Sequence, residues 1–161
     1  MNKAFTLIEL LIVVAILGVL ATFVTFSFQG TQKSARDTRR KAELKQYQDA
    51  LEIYASANDG FYPFRRGSAQ HGHVLADTVC QDIQASVELP NCPDDPTQTE
   101  AVDRYRYQSN GSAPGGGPTA TRFVIRASLE RDDEWFIICS DGRSGEVDKT
   151  VLFDGSGSCP L

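Results

Sequence analysis

The sequence predicts an α+β fold: one long N-terminal helix whose second half packs on a small antiparallel sheet. Three observations predict it. A run of 19 residues, Leu10 to Phe28, contains no charged side chain. The polar stretch after it carries Leu44, Tyr47, Leu51 and Tyr54 at spacings of three and four, the stripe of an amphipathic helix. Far downstream, short segments alternate apolar and polar residues with the period of two expected of half-buried strands.

The first helix is predicted over residues 5–57, roughly 80 Å long at ~1.5 Å per residue. Its uncharged run alone would rise about 29 Å, close to the roughly 30 Å of bilayer hydrocarbon. One acid, Glu9, stands at the head of this apolar half. A cleaved secretory signal would need a basic start, a shorter core and a small-residue cut site behind it. Lys3 is a weak version of the start, the run is too long, and no recognisable A-x-A site follows before the helix turns polar. A plain membrane anchor accounts for the length and leaves Glu9 unexplained. The helix is expected to stop at Asn58-Asp59-Gly60, where glycine can take the left-handed conformation.

From Phe61 the composition changes. All seven prolines and all four cysteines lie beyond this point. The roughly one hundred residues remaining suffice for one modest core with a helix laid on it. HVLADTVCQDIQASV places Leu75, Val79, Ile83 and Val87 at steps of four and predicts a second short helix. Strands are predicted at Arg104–Gln108, Arg122–Leu129 and Glu134–Ser140, with a weaker one at Thr150–Phe153. In Arg122–Leu129, Phe123, Ile125, Ala127 and Leu129 alternate with Arg122, Arg126 and Ser128. Residues 109–121, SNGSAPGGGPTAT, read as a flexible hairpin loop and Glu130–Asp133 as a tight connection.

Between the apolar half of the helix and its stripe lies a basic cluster: Lys33, Arg36, Arg39, Arg40, Lys41 and Lys45, relieved only by Asp37 and Glu43. Three partners compete for it: lipid headgroups, acidic neighbours in an assembly, and nucleic acid. The net charge of −5 and the lack of aromatic–basic interleaving in this helix weigh against direct nucleic-acid binding. The positive-inside rule would put the cluster in the cytoplasm. The cysteines beyond it favour an oxidising exterior.

The stretch Ala4-Phe5-Thr6-Leu7-Ile8-Glu9-Leu10-Leu11 resembles the class III signal of type IV pilins and of the pseudopilins of type II secretion. The resemblance extends through the helix to about Pro63, and ARDTRRKAELKQYQDALEIYASANDGFYP leans toward the major-pseudopilin-like branch. It implies a pilin-like fold and a structural subunit rather than an enzyme. It also implies four segments: a leader, 1–4; a transmembrane or filament-core helix, 5–28; its amphipathic continuation, 29–60; and an extracytoplasmic globular domain, 61–161. A prepilin peptidase would cut between Ala4 and Phe5 and methylate the new amine. Where the family usually has Gly before the cut, this chain has Ala4, and no proline interrupts the apolar helix, Phe26 occupying that region.

The resemblance makes Glu9 the family's intramembrane acid, its counter-charge the Phe5 amine of a neighbouring copy. Two buried charges that are each costly alone neutralise one another when they meet. The implied partners are other copies and minor pilins in a filament, the peptidase, an inner-membrane platform protein, an assembly ATPase and membrane lipid. The chain itself has no Gly-x-x-x-x-Gly-Lys loop, so the energy of assembly is expected from elsewhere. The expected location is a single-pass cytoplasmic membrane protein, N-terminus inside, assembled into a surface or periplasmic filament. A minor subunit that binds a surface or DNA is the alternative role.

Four cysteines allow three pairings. Cys80 with Cys92 and Cys139 with Cys159 are expected, each closing a short local loop. The second would fasten the tail to the predicted strand Glu134–Ser140, as such bonds do in many pilins. None of the spacings is C-x-x-C, which argues against zinc. No cofactor is expected. Calcium is the one candidate ligand, since similar major pseudopilins can bind it in a loop comparable to the tail carrying Asp141, Asp148 and Asp154. The spacing there fits no EF-hand. His71 and His73 flank a glycine in a polar loop and read as solvated.

Overall fold

A computed structural model describes residues 5–64, 73–74, 79–86, 92–97, 105–112, 117–151, 153 and 156–161; at 23–27, 29 and 73–74 it describes backbone only. Helix α1 runs Leu7–Ala57, 51 residues, about 77 Å long. Thr6 caps its start. At its end Asn58 is the C-cap and Gly60, at φ +83°, donates its N–H to the Ala55 carbonyl at 2.8 Å. The stop expected at Asn58-Asp59-Gly60 is therefore where the helix ends.

The two halves of α1 meet different surroundings. From Phe5 to Leu20 every large apolar side chain is exposed, Leu7 at 85% and Leu17 at 59%. Leu44, Tyr47 and Leu51 are fully buried and Tyr54 nearly so. Among the described residues no helix is long and apolar enough to cross a membrane. Within the apolar half of α1 the side chains are described without a break from Leu7 to Thr22.

The rest is an antiparallel arrangement. Strand β1 (Tyr62–Pro63) and, later in the chain, β4 (Pro118–Ala120) form a two-stranded ribbon. β2 (His73–Val74), β3 (Arg106–Ser109), β5 (Phe123–Ser128), β6 (Glu134–Cys139) and β7 (Ser144–Asp148) form a five-stranded sheet in that order. Helix α2 (Cys80–Ser86) packs against α1. The predicted α+β class, a long helix packed on a small antiparallel sheet, is the one observed.

Residue alternation places the two faces of the sheet. Phe123, Ile125 and Ala127 of β5 and Ile138 of β6 join Tyr105, Tyr107 and the α1 stripe in the main core. Val124, Ile137 and Cys139 turn the other way, into a second cluster with Trp135, Val147, Phe153 and Cys159. Three aromatic contacts tie the core together: Tyr62 edge-on to Phe123 with centroids 4.7 Å apart, Tyr107 stacked on Phe123, and Tyr47 edge-on to Tyr105. The Tyr62 hydroxyl bonds Glu52; burial and that carboxylate push its pKa up to about 12.

Several expected elements are corrected. The second helix does not begin at His73: residues 73–74 are strand, and the described helix covers Cys80–Ser86. A period of four over fifteen residues overrode the β-branched and loop-forming residues at its head. The described residues of Thr150–Phe153 (150, 151 and 153) are not strand; Asp148 closes β7 and accepts the Thr150 N–H at 2.7 Å in a turn. The last strand is instead Ser144–Asp148, whose Ser-Gly-Glu-Val-Asp sequence has only one apolar residue because its outer edge is exposed. The loop 109–121 is not a simple hairpin: Pro118–Ala120 pairs with Tyr62–Pro63. The tight connection at Glu130–Asp133 is present, with the Leu129 N–H bonded to the Glu134 carbonyl and Asp133 at φ 54°.

The C-terminal tail returns across the outer face. Gly157 sits at φ +67°, and a Cβ there would stand 2.7 Å from the Arg122 carbonyl oxygen. Only glycine permits the approach that brings Cys159 to Cys139.

Candidate functional site

Two features of α1 bear on function, its exposed apolar head and the charged segment that docks the domain on it. At the head, Thr6 and Glu9 make a reciprocal capping box. The Thr6 N–H and hydroxyl both donate to Glu9 Oε2, at 3.0 and 2.8 Å, while the Glu9 N–H reaches Thr6 Oγ1 at 3.4 Å. Both bonds to the carboxylate fall on one oxygen, which leaves Oε1 open to a donor from outside the chain. Among the described residues Glu9 has no basic partner. Phe5, just ahead of the cap, is 78% exposed; Ala4 lies outside the described residues. The T-x-x-E spacing that announces this cap is present in the sequence and was a missed signal.

The basic cluster is not the open patch its sequence implies. Arg40 is 1% exposed and sits among three carboxylates. Its Nε and Nη2 bond both oxygens of fully buried Asp95, at 2.7 and 3.0 Å; its Nη1 reaches Asp37 at 2.9 Å and Glu130 at 2.7 Å. Thr97 completes the set at 3.0 Å. Arg36 binds Glu130 through two nitrogens, Arg39 pairs with Glu43, and Lys41 pairs with Glu146. Lys45 bonds Gln48. The Glu43 carboxylate also receives the buried Tyr105 hydroxyl, whose pKa burial and that contact drive far up.

This network fixes two distant segments to one stretch of helix. Asp95 and Thr97 belong to the segment after Cys92, while Glu130 and Arg131 lie in the β5–β6 turn. Both backbone N–H groups of that turn donate to Asp37, at 2.9 and 3.0 Å. Burial opposes ionisation of Asp95, but bonds from Arg40 and Thr97 outweigh it and its pKa is lowered. Glu130 is lowered chiefly by its bond from Arg36. None of the three partners weighed for the cluster is needed to explain most of its charge; the partner is the chain's own domain.

Cys80 is bonded to Cys92, with Cα atoms 6.1 Å apart, and Cys139 to Cys159, at 5.7 Å. The first ties α2 to the segment that carries Asp95; the second pins the tail to β6. Replacing both Cys139 and Cys159 by serine is expected to lower stability by about 2–4 kcal/mol, as release of a loop of this length implies. Chemical denaturation of the full chain in detergent, oxidised against variant, measures it; an unchanged midpoint would contradict it.

The remaining candidates do not converge on a ligand site. Asp141 accepts from Arg143 at 2.8 Å and Asp148 caps the Thr150 turn. They flank the five residues of β7, which spans about 16 Å. Asp154 lies outside the described residues, so the described part of the tail brings no pair of these acids together. The sulfurs of Cys139 and Cys159 and a carboxylate oxygen of Asp141 lie within 4.8 Å of one another. Those sulfurs are spent on each other and offer no thiolate. His71 is outside the described residues, and His73 is described only as backbone in β2.

Comparison with known proteins adds to this geometry. The family described as "Prokaryotic N-terminal methylation motif" matches residues 1–25. The chain is 30% identical over 132 residues to the type IV major pilin protein PilA of Myxococcus xanthus (strain DK1622), covering 76% of this chain and 59% of that one. It is 28% identical over 92 residues to the type II secretion system core protein G of Escherichia coli (strain K12), covering 57% and 53%. The chain thus spans less than two thirds of the length of each relative. No solved structure matches. On a fold of one long helix packed against antiparallel sheet, the chain carries the prokaryotic N-terminal methylation motif, and its homologues are a type IV major pilin and a type II secretion pseudopilin.

Proposed function

We propose that this chain is a structural subunit, not an enzyme. A prepilin peptidase removes residues 1–4 after Ala4 and methylates Phe5. The subunit then polymerises into a type IV pilus or a secretion pseudopilus. The observation that carries this reading is the contrast within α1: an apolar head exposed on all sides, and a tail sealed into a disulfide-bonded domain. A head of that kind is stable only in a bilayer or against copies of itself, since exposed apolar surface on this scale is otherwise an aggregation liability.

The four segments follow. Residues 5–28 anchor the chain in the cytoplasmic membrane before assembly and form the filament core after it. Residues 29–60 carry the domain, and 61–161 lie outside the cytoplasm, where two disulfides persist. An ATPase and a platform protein supply the work, and minor pilins share the filament.

Mass spectrometry of chains recovered from membranes tests this. The mature terminus is expected at Phe5 with one added methyl group. An intact Met1 start, or a cut near residue 28, would overturn the reading. The alternative of a scarce tip subunit that binds a surface or DNA predicts low stoichiometry in sheared filaments.

A further inference from the structure

We propose that the groove between α1 and the β5–β6 turn, lined by Gly30, Thr31, Lys33, Ser34 and Arg131, holds the phosphate of an anionic phospholipid headgroup. The proposal rests on the membrane anchorage proposed above. The groove measures about 600 Å³. Gly30, Lys33 and Ser34 follow at helical spacing on one face of α1, and nothing stands within 4 Å of where a Gly30 Cβ would be.

Its height is right for a headgroup. Lys33 follows Phe28, the last residue of the apolar run, by five residues, a rise of about 7.5 Å. The polar layer of one leaflet is about 5–7 Å thick, the difference between hydrocarbon and whole-bilayer dimensions halved. Arg131 reaches the same level from the domain. Asp37 holds the backbone N–H of Glu130 and Arg131, so the turn cannot drift from the helix.

Its charge is right as well. Arg36, Arg39, Arg40 and Lys41 are committed to carboxylates, whereas Lys33 has no ion pair among the described residues. The turn's own acids are mostly engaged: Glu130 with Arg36 and Arg40, Asp133 with Lys149. Asp132 stands 3.9 Å from Arg131, whose side chain keeps 68% exposure. Lys33 brings an ammonium and Arg131 a forked guanidinium to the lining of one groove, donors that suit a phosphate monoanion.

The full chain in nanodiscs of phosphatidylcholine doped with photoreactive phosphatidylglycerol tests this. Crosslinks are expected on residues 28–36 and around Arg131, with anionic lipid enriched over phosphatidylcholine. Lys33→Gln and Arg131→Gln should each lower that enrichment about fivefold, and the pair about twenty-fivefold. Both side chains are exposed, and an unchanged circular dichroism spectrum with intact disulfides checks the fold. Enrichment that survives in the double variant, or none in the native chain, overturns the proposal. Inorganic phosphate competing at millimolar concentration would assign the groove to a free anion and overturn the lipid. A chain that enters no nanodisc would overturn the membrane anchorage itself.

Discussion

Arg40→Met is expected to cost about 3–5 kcal/mol of stability, the largest loss from any single substitution in the domain. Methionine fills much of the volume but leaves Asp95, fully buried, without its two bonds, and strips Asp37 and Glu130 of a counter-charge. Removing one partner of a buried pair is expensive because the surviving charge keeps its desolvation penalty. The second variant, Arg40→Met with Asp95→Asn, should recover part of the loss, since the orphaned charge is gone. Urea unfolding of the full chain in detergent, read through the single tryptophan, Trp135, measures both. A loss under about 1 kcal/mol would show that the network is not what holds the domain on the helix.

The same pair of chains gives a pH test with a definite sign. Asp95 and Glu130 have folded pKa values below their ordinary ones. Their contribution is therefore present above the ordinary carboxylate range and lost as pH falls through the folded values. In Arg40→Met the buried Asp95 has lost its main stabiliser, and desolvation turns its shift upward. Acid then relieves the variant while it weakens the native chain, so the gap between them should narrow as pH falls. A gap independent of pH would contradict the assignment.

How much of this was legible in the sequence follows from what each feature depends on. The long helix, its stripe and its stop were readable because period, length and a terminal glycine are local properties. Strand β5 was readable because alternation of Phe123, Ile125 and Ala127 against Arg122, Arg126 and Ser128 survives without context. β7 was not: it lies at an edge, with Glu146 and Asp148 beside solvent, and carries no apolar alternation. β1 and β4 were not, because two- and three-residue strands are defined by each other across more than fifty residues.

The candidate site divides the same way. The apolar head and Glu9 announce themselves by composition alone. The fate of the basic cluster was hidden, because Asp95, Glu130 and Glu146 reach Arg40, Arg36 and Lys41 from segments 55 to 105 residues away. Sequence shows that six cations are gathered on the helix; only the fold shows that most are already answered. Arg126 makes a related point. The alternation placed it on the solvent side of β5, yet its guanidinium lies 3.7 Å from the Phe153 ring centroid and near Trp135, under the returning tail. Burial, with Arg106 opposite, pushes its pKa down to about 10.

Glu9→Ala is expected to abolish filaments while membrane insertion and cleavage before Phe5 continue. The carboxylate has two uses that can be separated. Oε2 caps the chain's own helix through Thr6, and Oε1 is open for a charge brought by another copy. Thr6→Ala removes only part of the first use. If capping alone mattered, Thr6→Ala would lower filament yield by a substantial part of what Glu9→Ala does, and Glu9→Gln, which keeps an acceptor, would lower it little. If pairing with a neighbour's Phe5 amine is what drives polymerisation, Thr6→Ala keeps much of the yield and Glu9→Gln loses it, because glutamine preserves the shape and the acceptor but not the charge. Electron microscopy and the sheared fraction give the yield; mass spectrometry of the terminus confirms that each variant was processed. Normal filaments from Glu9→Gln would remove the counter-ion from the mechanism and leave helix packing as the driving force.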